Sequence, residues 1–112
     1  MPRTTIKPRP VGHLLLEKDF QRTVIELARL HGWRAYSIPD SRRSTEKGYP
    51  DITLWHAKRK VFALAELKTV KGKLSAEQIA VHAELKACGM TVYVWRPDEW
   101  DEIEKVLGRW PN

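Results

Sequence analysis

The apolar positions of this chain change period along its length, and each change marks an element. Over residues 14–31 they recur at helical spacing, with Leu16, Phe20, Val24, Leu27 and Ala28 on one broad face and Arg22, Glu26 and Arg29 largely outside it. Gly32 supplies the stop. Residues 33–38 alternate as a strand does. Residues 52–55 and 61–65 are short runs of β-branched, aromatic and aliphatic side chains separated by the polar segment 56–60, and together they predict a β-hairpin over residues 50–69. Lys71, Gly72 and Lys73 form a turn, after which Ser75 opens a second helix that runs to about Ala87, with Gly89 as its stop. Ile79, Val81, His82, Leu85 and Lys86 lie along that helix. Residues 90–95 are apolar nearly throughout and predict a central strand. Pro97 ends it, and a short helix follows over residues 99–107 with Trp100, Ile103, Val106 and Leu107 at helical spacing. Trp95 and Trp100 fall at core spacing, which favours packing over base stacking.

The hairpin carries the candidate chemistry. With a two-residue loop centred on Lys58 and Arg59, Ala57 pairs with Lys60 and Asp51 falls opposite Glu66. Lys-Arg is not a favoured pair for a tight turn, and a longer loop moves the partner of Asp51 by a residue or two. Side chains alternate along a strand, so Glu66 and Lys68 project to one face and Leu67 to the other. Two carboxylates about 4 Å apart at an effective dielectric of about 20 repel by roughly 4 kcal/mol. A shared proton, a pairing cation such as Lys68, or a bound divalent metal compensates that cost, and hard oxygen ligands suit Mg²⁺ or Mn²⁺. A salt-bridged hairpin end without chemistry is the plain alternative.

Composition narrows the choice. The chain has 112 residues, 42% of them hydrophobic and 30% charged, as expected of one globular domain, here residues 13–112. Residues 1–12, with Pro2, Pro8 and Pro10 between Arg3, Lys7 and Arg9, predict a flexible basic arm. No apolar run approaches a membrane span, and no apolar signal region follows the N-terminal basic residues, so an intracellular protein is expected. The lone Cys88 excludes an internal disulfide and a Cys-based zinc site and is read as a small core residue, and the four histidines form no ligand-spaced pair. A formal net charge of +6 and a pI near 9.7 favour a polyanionic partner. Arg42, Arg43 and Lys47, with Ser41 and Ser44, have the chemistry of a phosphate-contacting loop just before the carboxylates, and Lys71 and Lys73 flank them on the other side. Glu17 and Gln21, one turn apart beside the apolar stripe of the first helix, are placed to point over the sheet edge toward the pair, the plain alternative being a solvated helix start where Glu suits the positive end of the helix dipole. Ser75 and Gln78 have capping-box spacing, which gives Gln78 a structural job by itself.

The order helix, strand, strand pair, helix, strand, helix carries a carboxylate in the first helix, Pro50-Asp51 at the start of one strand and Glu66-Leu67-Lys68 at the end of the next. It resembles the PD-(D/E)xK nuclease superfamily, and within it the small VRR-NUC family. The resembling features also include Gly32-Trp33, Ser41-Arg42-Arg43, Gly48-Tyr49, Ser75 to Gln78 and Trp95-Arg96-Pro97, and they cover the chain after the arm. The resemblance implies a restriction-endonuclease-like α/β core, a mixed four-stranded sheet flanked by helices in the order αβββαβα. It implies a divalent metal, Mg²⁺ with Mn²⁺ able to substitute, held by Asp51, Glu66 and the backbone carbonyl of Leu67, with Glu17 reaching it directly or through water. Lys68 would orient the attacking water, and Gln21 and Gln78 would support the ligands. Stand-alone members, common in bacteriophages and prophages, are similar to Holliday-junction resolvases that act as homodimers. The implied partner is branched DNA, with no membrane and no organic cofactor. A duplex-cutting or nicking nuclease and a non-catalytic nucleic-acid-binding module are the competing readings.

Overall fold

The computed structural model describes residues 17–38 and 44–108. The expected basic arm, the first turn expected of the first helix, and Ser41, Arg42 and Arg43 lie outside the described residues. In chain order the elements are α1 (Glu17–Leu30), β1 (Arg34–Ser37), β2 (Ile52–His56), β3 (Val61–Leu67), α2 (Ala76–Ala87), β4 (Thr91–Trp95), one 3-10 turn (Pro97–Glu99) and α3 (Trp100–Leu107). The strands form one sheet in the order β1-β2-β3-β4, antiparallel except for the parallel β3–β4 pair. This is the mixed sheet and the αβββαβα order expected from the sequence.

The period of α1 explains where it sits. Phe20, Val24, Leu27 and Ala28 are buried and join Trp100, Ile103 and Leu107 of α3 on one sheet face, against Ile52, Leu54, Ala65, Leu67 and Trp95. Each large aliphatic or aromatic side chain buried there contributes about 1.5–3 kcal/mol. Trp95 and Trp100 are core residues, as their spacing predicts. On the other face α2 packs beside β4 and reaches across to β3, while Tyr36, Trp55 and Phe62 stay exposed.

The hairpin register is the one that a loop at Lys58 and Arg59 demands: Ile52 pairs with Ala65, and His56 with Val61. The turn holds despite its unfavoured residues. Lys60 takes a positive φ of 59° and its N–H closes onto the Ala57 carbonyl at 3.2 Å. Arg59 folds back, lies over the Trp33 ring at 4.8 Å and donates to the Val106 carbonyl at 3.1 Å. Tertiary contacts by the loop arginine therefore stand in for turn propensity.

Two expectations are corrected. The apolar strand β4 is not central, because among the described residues it pairs with β3 alone and ends the sheet. Its apolar character reflects cover on both faces, by the α1–α3 layer and by α2, rather than a neighbour on both sides. Cys88 is exposed instead of core, since it occupies the C-cap of α2 at the end of the helix.

Gly48 matters for the site. Its φ of 91° is in the left-handed region, and a Cβ there would press to 2.5 Å from the Glu77 carbonyl oxygen. The bare backbone lets the segment leading to Asp51 lie against the start of α2.

Candidate active site

Asp51 immediately precedes β2, and its Oδ2 accepts a hydrogen bond from the Leu67 backbone N–H at 2.8 Å. The register of β2 against β3 brings it there. Glu66 lies on the opposite sheet face from Leu67 and is 1% exposed. Its Oε2 accepts from Gln78 Nε2 at 3.0 Å and stands 3.8 Å from Lys68 Nζ. Its Oε1 has no hydrogen-bond partner among the described residues and faces His82 Nε2 at 3.5 Å, an atom that is equally unpartnered.

Gln78 does two jobs at once. Its Oε1 accepts the Ser75 backbone N–H at 2.8 Å while Ser75 Oγ accepts the Gln78 N–H at 3.1 Å, completing the capping box. With its carbonyl oxygen committed to the cap, the amide presents its NH₂ to Glu66. The structural job read from the spacing is also what aims the side chain into the site.

The electrostatics follow from burial and crowding. The Glu66 carboxyl is pushed up to about 8, first by burial and then by the neighbouring Asp51 carboxylate, with Lys68 pulling the other way. Glu17 is raised by burial and then by Asp51, again opposed by Lys68, so it lies within the field of the pair. His82 is lowered by burial and then by Lys86. Glu17 and Gln21 share an open cleft with Asp51, Tyr36, Ser37 and Tyr49, as their placement on α1 predicts.

No group of three or more His, Cys, Asp or Glu side chains among the described residues is arranged to hold an ion. A closed all-protein cage is therefore absent among them. The donors present fit an open site instead. Two carboxylates crowded enough to hold a proton near neutrality, with the buried Glu66 Oε1 unpartnered, suit a hard divalent cation that keeps several positions for water and phosphate.

Lys71 and Lys73 are exposed in the turn that follows Lys68, and Arg96 holds that turn by donating from Nη1 to the carbonyls of Thr69 (3.0 Å) and Gly72 (2.7 Å). Lys47 is exposed just before Gly48. Sequence reasoning missed His82 and Arg96 as neighbours of the site. The signal for His82 was its position one helical turn after Gln78, on the same face of α2.

A mixed sheet with Pro-Asp opening one strand, Glu-x-Lys closing the next and a helix glutamine behind the glutamate is the core of a PD-(D/E)xK nuclease. The model of the VRR-NUC domain family matches residues 4–98, and the chain belongs to that family of nucleases. Among solved structures, one titled as a VRR_NUC domain is similar over 84% of this chain and 96% of its own, at 21% identity and a TM-score of 0.65. Hjc from Archaeoglobus fulgidus, a Holliday junction resolvase, is similar over 69% of this chain and 63% of its own, at 22% identity and a TM-score of 0.52. At these identities the two structures show the shared fold. No curated protein matches this chain.

Proposed function

We propose that this chain is a divalent-metal-dependent endonuclease that cuts branched DNA as a homodimer inside the cell. The observation that carries the reading is the convergence of Asp51, Glu66 and Lys68 on one spot, with Gln78 and Glu17 around it. A purely structural role needs no such crowding of carboxylates, and this counts against a non-catalytic binding module.

Asp51 and Glu66, with the Leu67 carbonyl, would hold Mg²⁺ or Mn²⁺, and Glu17 would reach it directly or through water. The ion, when bound, supplies Lewis-acid polarisation of the phosphate and makes water a stronger nucleophile at neutral pH. Lys68, 14% exposed and beside Glu66, orients the attacking water and stabilises the charge that grows on the phosphate oxygens. Water attacks the phosphorus in line with the leaving oxygen, which departs with a proton. Gln78 keeps the Glu66 carboxylate in place, and Gln21 lines the cleft beside Asp51. Lys47, Lys71 and Lys73 grip the phosphate backbone around the site, and Arg42 and Arg43, outside the described residues, are expected to add phosphate contacts.

Junction preference is supported by the fold shared with a Holliday junction resolvase. A homodimer is supported by arithmetic: one chain carries one site and a four-way junction takes two symmetric cuts. The test is cleavage of an end-labelled four-way junction and a matched linear duplex by the purified protein, with Mg²⁺ or with EDTA. Paired symmetric cuts on the junction alone, lost in EDTA, are expected. Equal cutting of both DNAs would make it a duplex nuclease, and tight binding without cutting in Mg²⁺ or Mn²⁺ would make it a binding module.

A further inference from the structure

We propose that His82 is a positioning residue for Glu66: its Nε2–H donates to Glu66 Oε1, so that α2 grips both oxygens of that carboxylate. The catalytic consequence rests on the nuclease reading above, but the contact itself does not.

Of all the residues of α2, His82 alone is buried, while Ile79 on the same helix is 57% exposed. A helix that served only to cover the sheet would bury Ile79 or Leu85 at its deepest point and leave the imidazole in solvent. Glu66 Oε1 and His82 Nε2 are both buried, both lack a partner among the described residues, and lie 3.5 Å apart. Buried polar atoms are almost always paired, and a few tenths of an ångström separates this pair from an ordinary N–H···O bond. A small rotation of the imidazole closes the gap.

The other oxygen of Glu66 already has a partner on the same helix. Gln78 Nε2 holds Oε2 at 3.0 Å, and Gln78 and His82 lie one turn apart on the same helix face. Two donors from one rigid helix fix the plane of the carboxylate, and each oxygen retains a lone pair for a cation or for Lys68. Groups that orient a metal-binding side chain in this way typically change metal affinity 10–100-fold when removed.

The experiment uses the full chain without DNA. In ¹⁵N-labelled, metal-free protein at pH 9, where an imidazole is neutral, a long-range imidazole correlation spectrum reads the tautomer of each histidine, and His82→Gln assigns the signal. The expected His82 signature is protonated Nε2 and bare Nδ1. In parallel, the rise in melting temperature with added Mn²⁺ gives the midpoint of metal binding. His82→Leu is expected to raise that midpoint at least tenfold and His82→Gln, which keeps a donor, to recover most of it. A bare Nε2, or a His82→Leu midpoint equal to that of the natural protein, overturns the proposal. If His82→Leu does not fold, the wild-type spectrum and His82→Gln decide. Neither readout needs DNA cleavage, so failure to cut a junction would overturn the nuclease reading and leave this contact standing.

Discussion

Asp51 Oδ2 accepts the Leu67 backbone N–H at 2.8 Å, which anchors the aspartate that precedes β2 to the strand carrying Glu66 and Lys68. The bond makes Asp51 a structural residue as well as a candidate ligand, and two substitutions separate the roles. Asp51→Ala leaves the Leu67 N–H without its acceptor and is expected to lower stability by about 1–3 kcal/mol. Asp51→Asn keeps an acceptor oxygen and removes a charge beside Glu66, so the metal-free protein is expected to be at least as stable as the natural one. Both are expected to abolish cleavage. Urea unfolding of the two variants checks the ordering, and equal losses would contradict it.

The raised Glu66 value sets the pH dependence of the metal-free protein. From the ordinary carboxyl range up to about 8, the folded chain holds a proton that the unfolded chain has lost. Stability therefore falls as pH rises through that window and levels off above it. Glu17 is shifted in the same direction. His82 is shifted down, so below its ordinary value of 6.5 the unfolded chain takes up the extra proton and stability falls as pH is lowered. As pH rises from 6.5 toward 8 the His82 contribution fades and that of Glu66 dominates. The melting temperature in EDTA is expected to decline across that interval, Glu66→Gln to flatten the decline, and Mg²⁺ to offset it. A melting temperature independent of pH there would remove the crowded pair.

Ser75 and Gln78 share a capping box, yet only Gln78 reaches Glu66. Ser75→Ala is expected to cost about 0.5–2 kcal/mol of stability, as cap losses do, with a small effect on cleavage once the protein is folded. Gln78→Ala is expected to match that stability cost and in addition to lower kcat or weaken metal dependence about tenfold or more. Thermal melts and metal-dependent rates on the same preparations distinguish the two. Equal rates would reduce Gln78 to a cap.

Much of this arrangement was legible before the fold was known, for local reasons. The distance from Asp51 to Glu66 and the two-residue loop between the strands were enough to set them side by side, because antiparallel pairing converts sequence separation into position. The capping box at Ser75 and Gln78 was equally local. What stayed hidden depended on cover from elsewhere in the chain. The run in β4 reads as central because apolar content reports burial on both faces and says nothing of how many strands lie alongside. Cys88 reads as core by residue type, whereas its place at the end of α2 exposes it. His82 reads as one polar residue among several on α2, and only the packing of that helix on β3 reveals that it faces Glu66. The stability of the Lys58-Arg59 turn had no local signal at all, since it comes from Arg59 docking on Trp33 and Val106.

If Asp51, Glu66 and Lys68 form a metal-dependent phosphodiester-cleaving site, Lys68→Ala removes the group that orients the attacking water and leaves the two carboxylates in place. Lys68 lies outside the hydrophobic core cluster, so the variant is expected to fold and to bind DNA nearly as the natural protein does. The measurement is the single-turnover cleavage rate of an end-labelled four-way junction in Mg²⁺, natural protein against variant, with binding measured in parallel. A loss of at least a hundredfold in rate with binding preserved is the expected result. Cleavage by Lys68→Ala at the natural rate, or cleavage by the natural protein that persists in EDTA, would rule out a metal-dependent site built on these three residues.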